Sequence, residues 1–164
     1  MPSSVVLVHG LRTSATMWRT QVAALEAAGH ETIAIDLPGH GARMGERFTL
    51  AGAVEAIGDA VEAARHPVLL CGFSLGGYMS IHYAGLADRP IVGLLAASCG
   101  TRPYRVVLDS WRVAARVIHR FPDRGLGLNN WAVRLAVRDP ELAADVIAGG
   151  VALEVMDDAL VELR

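Results

Sequence analysis

The segment Cys71-Gly72-Phe73-Ser74-Leu75-Gly76-Gly77 directly follows the apolar run Val68-Leu69-Leu70. A Gly-x-Ser-x-Gly pattern in that place marks a strand that turns sharply into a helix, with the serine on the turn. The turn strains the backbone at its centre and leaves no room for side chains two positions before or after it. Gly72 and Gly76 occupy those positions, so Ser74 is expected to lift its hydroxyl above the C-terminal edge of the strand as a nucleophile. A serine on an ordinary strand-to-helix turn serves instead as an N-cap, accepting from a first-turn N–H. An N-cap needs no flanking glycines, and the glycine pair decides for the nucleophile.

Two further strand ends lie upstream. Val5-Val6-Leu7-Val8 runs into His9-Gly10-Leu11, and Thr32-Ile33-Ala34-Ile35 runs into Asp36-Leu37-Pro38-Gly39-His40-Gly41. Between them, residues 17–28 carry Trp18, Val22 and Leu25 on one helical face and stop at Gly29. Ser14 is placed to cap that helix, Arg12 to line the rim of a pocket, and Asp36 to stabilise a turn. Thr49 caps a second helix in which Leu50, Val54, Ile57 and Val61 recur at helical spacing, ending near His66-Pro67. The strand at 68–73 leads through Ser74 into a helix that ends near Leu86, and residues 91–97 form a fourth apolar run. This alternation predicts an α/β protein with a doubly wound parallel sheet, right-handed crossovers and a site at the C-terminal ends of the strands.

Beyond Pro103 the pattern is helical only. Leu108, Trp111, Ala115 and Ile118 form one apolar stripe; residues 131–137, 141–147 and 153–163 read as three further helices. Arg112, Arg116 and Arg120 recur every four residues on the first of these and read as a solvated face, with steering of a carboxylate-bearing substrate as the alternative.

Of the 164 residues 52% are hydrophobic and 20% charged, with a formal net charge of −2, so neither nucleic acid nor an acidic membrane surface is an expected partner. No apolar stretch reaches the roughly 18 residues that span a bilayer and no leader precedes the first strand, which predicts a cytoplasmic location. Cys71 and Cys99 read as small buried hydrophobes rather than a disulfide. Metal-binding and dinucleotide motifs are missing from the sequence, so no metal and no cofactor is expected.

The three strand-end motifs, in this order, resemble the α/β-hydrolase family in its cap-bearing serine-hydrolase branch, closely over about residues 4–100 and loosely beyond. The resemblance implies that Ser74 attacks a carbonyl. It implies also that the N–H groups of Leu11 and Leu75 hold the oxyanion, with His9, Gly10, Gly72 and Gly76 supporting the two loops. Residues 1–103 then correspond to part of the hydrolase core and residues 104–164 to a helical cap segment. The substrate implied is a small ester, thioester or related carbonyl compound, processed through an acyl-enzyme. In the family the acid and the histidine base follow a seventh and an eighth strand that are not found here, so the chain is expected to be the N-terminal part of such an enzyme. Its last strand, 91–97, is expected to leave a bare edge that favours self-association. The alternative is a non-catalytic module of the same fold that binds a ligand or partner under its cap.

The histidines present do not replace the missing base. His82 lies eight residues along the helix that follows Ser74, about 12 Å away, and is expected to be a half-buried helix residue. His119 and Asp109 are ten helical residues apart, about 15 Å, too far for a dyad. His30 and His66 precede strands and belong to the opposite end of the sheet. His9 and His40 lie at the site end, where the family uses the matching residues to brace loops.

Overall fold

Strand β1 (Ser4–Val8) is buried along its whole length and occupies the inside of a parallel four-stranded sheet of order β2-β1-β3-β4. The computed structural model describes residues 4–65, 67–86, 91–101, 103–150 and 155–164. His66 and the start of the last expected helix at Leu153 lie outside them. The other strands are β2 (Glu31–Ile35), β3 (Val68–Phe73) and β4 (Ile91–Ala97). The helices are α1 (Arg19–Ala27), α2 (Leu50–Ala63), α3 (Leu75–Ala84), α4 (Arg105–Ile118), α5 (Leu126–Ala136), α6 (Pro140–Ala148) and α7 (Val155–Glu162).

The two faces of β1 separate as the pleat demands. Val6 and Val8 enter the main core with Leu70 of β3, Ile57 and Val61 of α2, and Met79 and Tyr83 of α3. Val5 and Leu7 pack with Cys71 against Trp18, Val22 and Leu25 on the other side. Helices thus cover both faces, as the alternation of strand and helix predicted. Thr49 caps α2 as expected, its hydroxyl accepting from Gly52 N at 3.0 Å, a contribution of about 1 kcal/mol.

Four local expectations are corrected. The helix expected at 17–28 begins as a 3₁₀ turn, Ala15–Trp18, and becomes α1 only at Arg19. Ser14 does stand at the N-cap position, but its side chain makes no capping bond: its hydroxyl pairs with Thr16 Oγ1 at 2.8 Å, while the N–H of Ala15 donates to Asp36 Oδ1 at 2.7 Å. His82 is exposed, not half-buried. Of the stripe on α4, Leu108 and Ala115 are buried while Trp111 remains 53% exposed.

Helix α7 ties the C-terminal helices to the sheet. Val155 and Ala159 enter the main core, while Met156 and Leu160 face Leu108 and Ala115 of α4, with Leu11 packed against both groups. Arg19 of α1 pairs with Asp145 of α6. No described helix is long and apolar enough to cross a membrane.

Strand β4 pairs with β3 on one side, and its other edge carries no strand among the described residues. Val92 is 69% and Leu95 53% exposed along it. We propose that copies of the chain associate along this edge, where unpaired backbone groups and apolar side chains coincide. Light scattering should show mass rising with concentration, and Val92→Lys with Leu95→Lys should return a monomer of unchanged melting temperature; a monodisperse wild-type monomer would contradict this.

Candidate active site

Ser74 joins β3 to α3 with φ 52° and ψ −113°, a conformation that non-glycine residues adopt only under strain. Its N–H donates to Ala97 O at 2.8 Å, which ties the turn to the end of β4. It stands at the N-cap position of α3, yet its side chain makes no capping bond. The half-buried hydroxyl has no hydrogen-bond partner among the described residues, in contrast to Thr49 at the start of α2. Gly72 and Gly76 are required by contact. A Cβ on Gly72 would run into Gly76 O, and one on Gly76 into the carbonyl oxygens of Val8 and His9. The first turn of α3 therefore sits directly on the end of β1.

That end of β1 is held by its own short network. His9 is fully buried; its Nδ1 lies 2.7 Å from Gly10 O and its Nε2 accepts from Leu37 N at 3.0 Å. Both contacts are satisfied only by the neutral ring with the proton on Nδ1. Thr13 Oγ1 donates to the same Gly10 oxygen at 2.8 Å. Because Gly10 C=O and Leu11 N–H belong to one planar peptide unit, two donors on the oxygen fix the direction of the Leu11 N–H. Among the described residues no hydrogen bond uses the N–H of Leu11 or of Leu75. Leu75 stands at the first position of α3, where its N–H has no intrahelical acceptor and the helix dipole favours negative charge.

Burial, and then the neighbouring His40, lower the pKa of His9 from 6.5 to about 4. Its lone pair is spent on Leu37 N–H, so it cannot serve as a general base. The His40 ring lies 4.8 Å from that of His9 and is tilted by 57° to it, contacts Pro38 O through Nδ1 at 3.1 Å and meets Phe48 edge-on. Its Nε2 is buried without a partner among the described residues, and burial lowers its pKa as well. Asp36 accepts from Ala15 N and Ala42 N, fastening the loop after β2, in keeping with its expected turn role. Burial raises both thiols, Cys71 and Cys99, away from the thiolate form. Among the described residues no three His, Cys, Asp or Glu side chains gather as metal ligands would.

His119 caps the C-terminus of α4 and lies 3.6 Å from Asp157 of α7. Nothing local in the sequence signals that pair, because the two residues are brought together only by the packing of α7. The roles of Thr13 and of the His9–Leu37 bond also went unread; a hydroxyl residue three positions after Gly10 is the one available signal. Arg112 pairs with Asp109 of its own helix at 3.8 Å, while Arg116 and Arg120 are exposed.

A sequence model described as the alpha/beta hydrolase family matches residues 5–163. The chain belongs to the alpha/beta hydrolase family. It is 38% identical over 102 residues to the dihydrolipoyllysine-residue acetyltransferase component of the acetoin cleaving system of Pseudomonas putida, a segment of 58% of this chain and 27% of that protein. It is 42% identical over 78 residues to esterase PIR7B of Oryza sativa subsp. japonica, 44% of this chain and 29% of the esterase. Over 99% of its length it shares the fold of a crystal structure from a study of carboxylesterases of Nitrososphaera gargenis, with TM-score 0.73, 18% identity and 64% of that chain covered. The matched segments thus span less than a third of these two curated relatives.

The folded pKa of His9 lies below its unfolded value, so between pH 6.5 and 4 the unfolded chain binds more protons and stability falls as the pH falls. The full effect is about 3 kcal/mol. Urea titrations across this range should show the loss, and His9→Asn should be less stable at pH 7 but flatter with pH. A wild-type profile level from pH 6.5 to 4 would contradict the buried neutral ring.

Proposed function

We propose that this chain carries the nucleophile and oxyanion donors of a serine hydrolase that cleaves a small ester, thioester or related carbonyl compound through an acyl-enzyme. The observation that carries the proposal is Ser74 itself: a strained, non-capping serine with a free hydroxyl at the end of the central strands. Ser74 Oγ attacks the carbonyl carbon, and the carbonyl oxygen takes up negative charge opposite the N–H groups of Leu11 and Leu75. Both donors are oriented before substrate arrives, one by the clamped Gly10 peptide and one by the helix, so little reorganisation is needed when charge develops. One such donor is worth about 3 kcal/mol in transition-state stabilisation. Collapse of the tetrahedral intermediate expels the alcohol or thiol, and water releases the acid. The similarity to esterase PIR7B supports an ester as substrate.

The proton from Ser74 needs a base. His9 is committed to Leu37, His40 is sealed between His9 and Phe48, and His82 is far along α3, so the base is left unassigned among the described residues. The fold of residues 104–164 as a cap over the pocket is part of the same proposal, supported by the contact of Leu11 with the α4–α7 pair.

A fluorophosphonate should therefore modify Ser74 slowly. A site without its base keeps a rate enhancement of about 10³–10⁴ over water, and Ser74→Ala should abolish the mass shift. Modification of another residue, or labelling that survives Ser74→Ala, would overturn the assignment.

A further inference from the structure

The formal net charge of −2 averages over an uneven chain. Residues 104–138 hold seven arginines against two aspartates, a formal charge of +5, which out of a total of −2 leaves −7 on the rest. The expectation that an acidic membrane surface is no partner rests on that average. The distribution along α4 and α5 points the other way.

Helix α4 is divided lengthwise into rows. Leu108 and Ala115 face α7, where they pack with Met156 and Leu160. Val106, Val113 and Val117 recur at i, i+7 and i+11, so they share one line, about 200° round the helix from the Leu108–Ala115 line. That line points away from the α7 contact, and its three valines are 79%, 57% and 53% exposed. Arg105, Arg112 and Arg116 repeat the same spacing about 100° to one side of the valines. Arg120 follows one turn further on, and Val107 and Trp111, both exposed, lie on the other side. A solvated helix carries its charges on the outermost row. Here the outermost row is valine, about 17 Å long, and the charges stand beside it. Helix α5 exposes a similar stripe, Leu128, Trp131 and Leu135 at i, i+3 and i+7.

We propose that α4 docks on an anionic lipid surface, lying flat in the headgroup region with Val106, Val113 and Val117 inserted. The placement of the arginines selects that occupant. A guanidinium about 100° round from the deepest row stands near the level of the helix axis, where the phosphates around a half-immersed helix lie, and its aliphatic stem covers apolar surface on the way there. Trp111 takes the interfacial level on the opposite flank, which suits an indole. The local charge of +5 supplies the attraction to anionic headgroups, while the −7 on the rest of the chain turns the remainder of the molecule away from them. This docking does not depend on the chemistry proposed for Ser74.

The test is sedimentation of the full chain with vesicles of phosphatidylcholine alone and of phosphatidylcholine mixed with phosphatidylglycerol. Wild type should sediment with the mixed vesicles and be released by high salt. An arginine near an anionic surface is worth about fivefold in partitioning, so Arg105→Gln, Arg116→Gln and Arg120→Gln together should lower the partition coefficient about 100-fold. Val106→Gln, Val113→Gln and Val117→Gln together should abolish sedimentation although every arginine remains. All six side chains are exposed, so both variants should keep the wild-type melting temperature. Insertion can also be read without these variants: mixed vesicles brominated in the acyl chains should quench the tryptophan fluorescence of wild type more than that of Trp111→Phe. Equal sedimentation of wild type with both vesicle types, or with neither, would overturn the proposal. Binding that survives the valine variant, or quenching unchanged in Trp111→Phe, would leave only a diffuse attraction of charge and overturn the docking of α4. Self-association lost in the valine variant, with no vesicle binding by wild type, would assign the face to a second copy of the chain instead.

Discussion

Helix α3 begins in direct contact with the carbonyl oxygens of Val8 and His9, and only a glycine at position 76 lets it begin there. Everything at the site end of the sheet follows from that approach. It forces the chain through a strained turn at Ser74, because a strand and a helix so closely seated leave no length for a relaxed loop. It also brings the first turn of α3, with its unsatisfied N–H groups, beside the peptide that joins Gly10 to Leu11. The strain at Ser74 is supported by the cores on both sheet faces, in which Val6, Val8 and Leu70 are fully buried.

The second dependence is electrostatic. His9 can bridge Gly10 O and Leu37 N only as a neutral ring, so the loop after β1 and the loop after β2 are locked by one proton position. Burial maintains that state well below neutral pH. Asp36, which fastens the neighbouring backbone at Ala15 and Ala42, stands 3.9 Å from His9 Nε2 and favours the charged ring, but desolvation outweighs it. The site end of the sheet is therefore a preorganised scaffold of backbone dipoles with little titratable chemistry of its own.

Much of this was legible in the order of residues. The elbow could be read because its demand is local: two glycines at fixed offsets around a serine, after an apolar strand. The four strands could be read from apolar runs ending in glycine-bearing turns, and burial on both faces explains the continuous run of β1, while β4 keeps its apolar run although much of it is exposed. The start of α1 lay beyond its periodicity: a 3₁₀ turn at Ala15–Trp18 precedes it, and the N–H of Ala15 bonds a carboxylate 21 residues away. Placing α7 in the main core, and His119 beside Asp157, depended on tertiary packing that no helical periodicity reports.

The most direct test of the central claim is a crystal structure of the chain after reaction with a small alkyl phosphonate. The account places phosphorus on Ser74 Oγ with the phosphoryl oxygen about 2.7–3.1 Å from both Leu11 N and Leu75 N, and with the positive φ at Ser74 unchanged. An adduct whose phosphoryl oxygen faces away from either N–H, or a Ser74 that relaxes to helical φ and ψ with its hydroxyl capping α3, would contradict it.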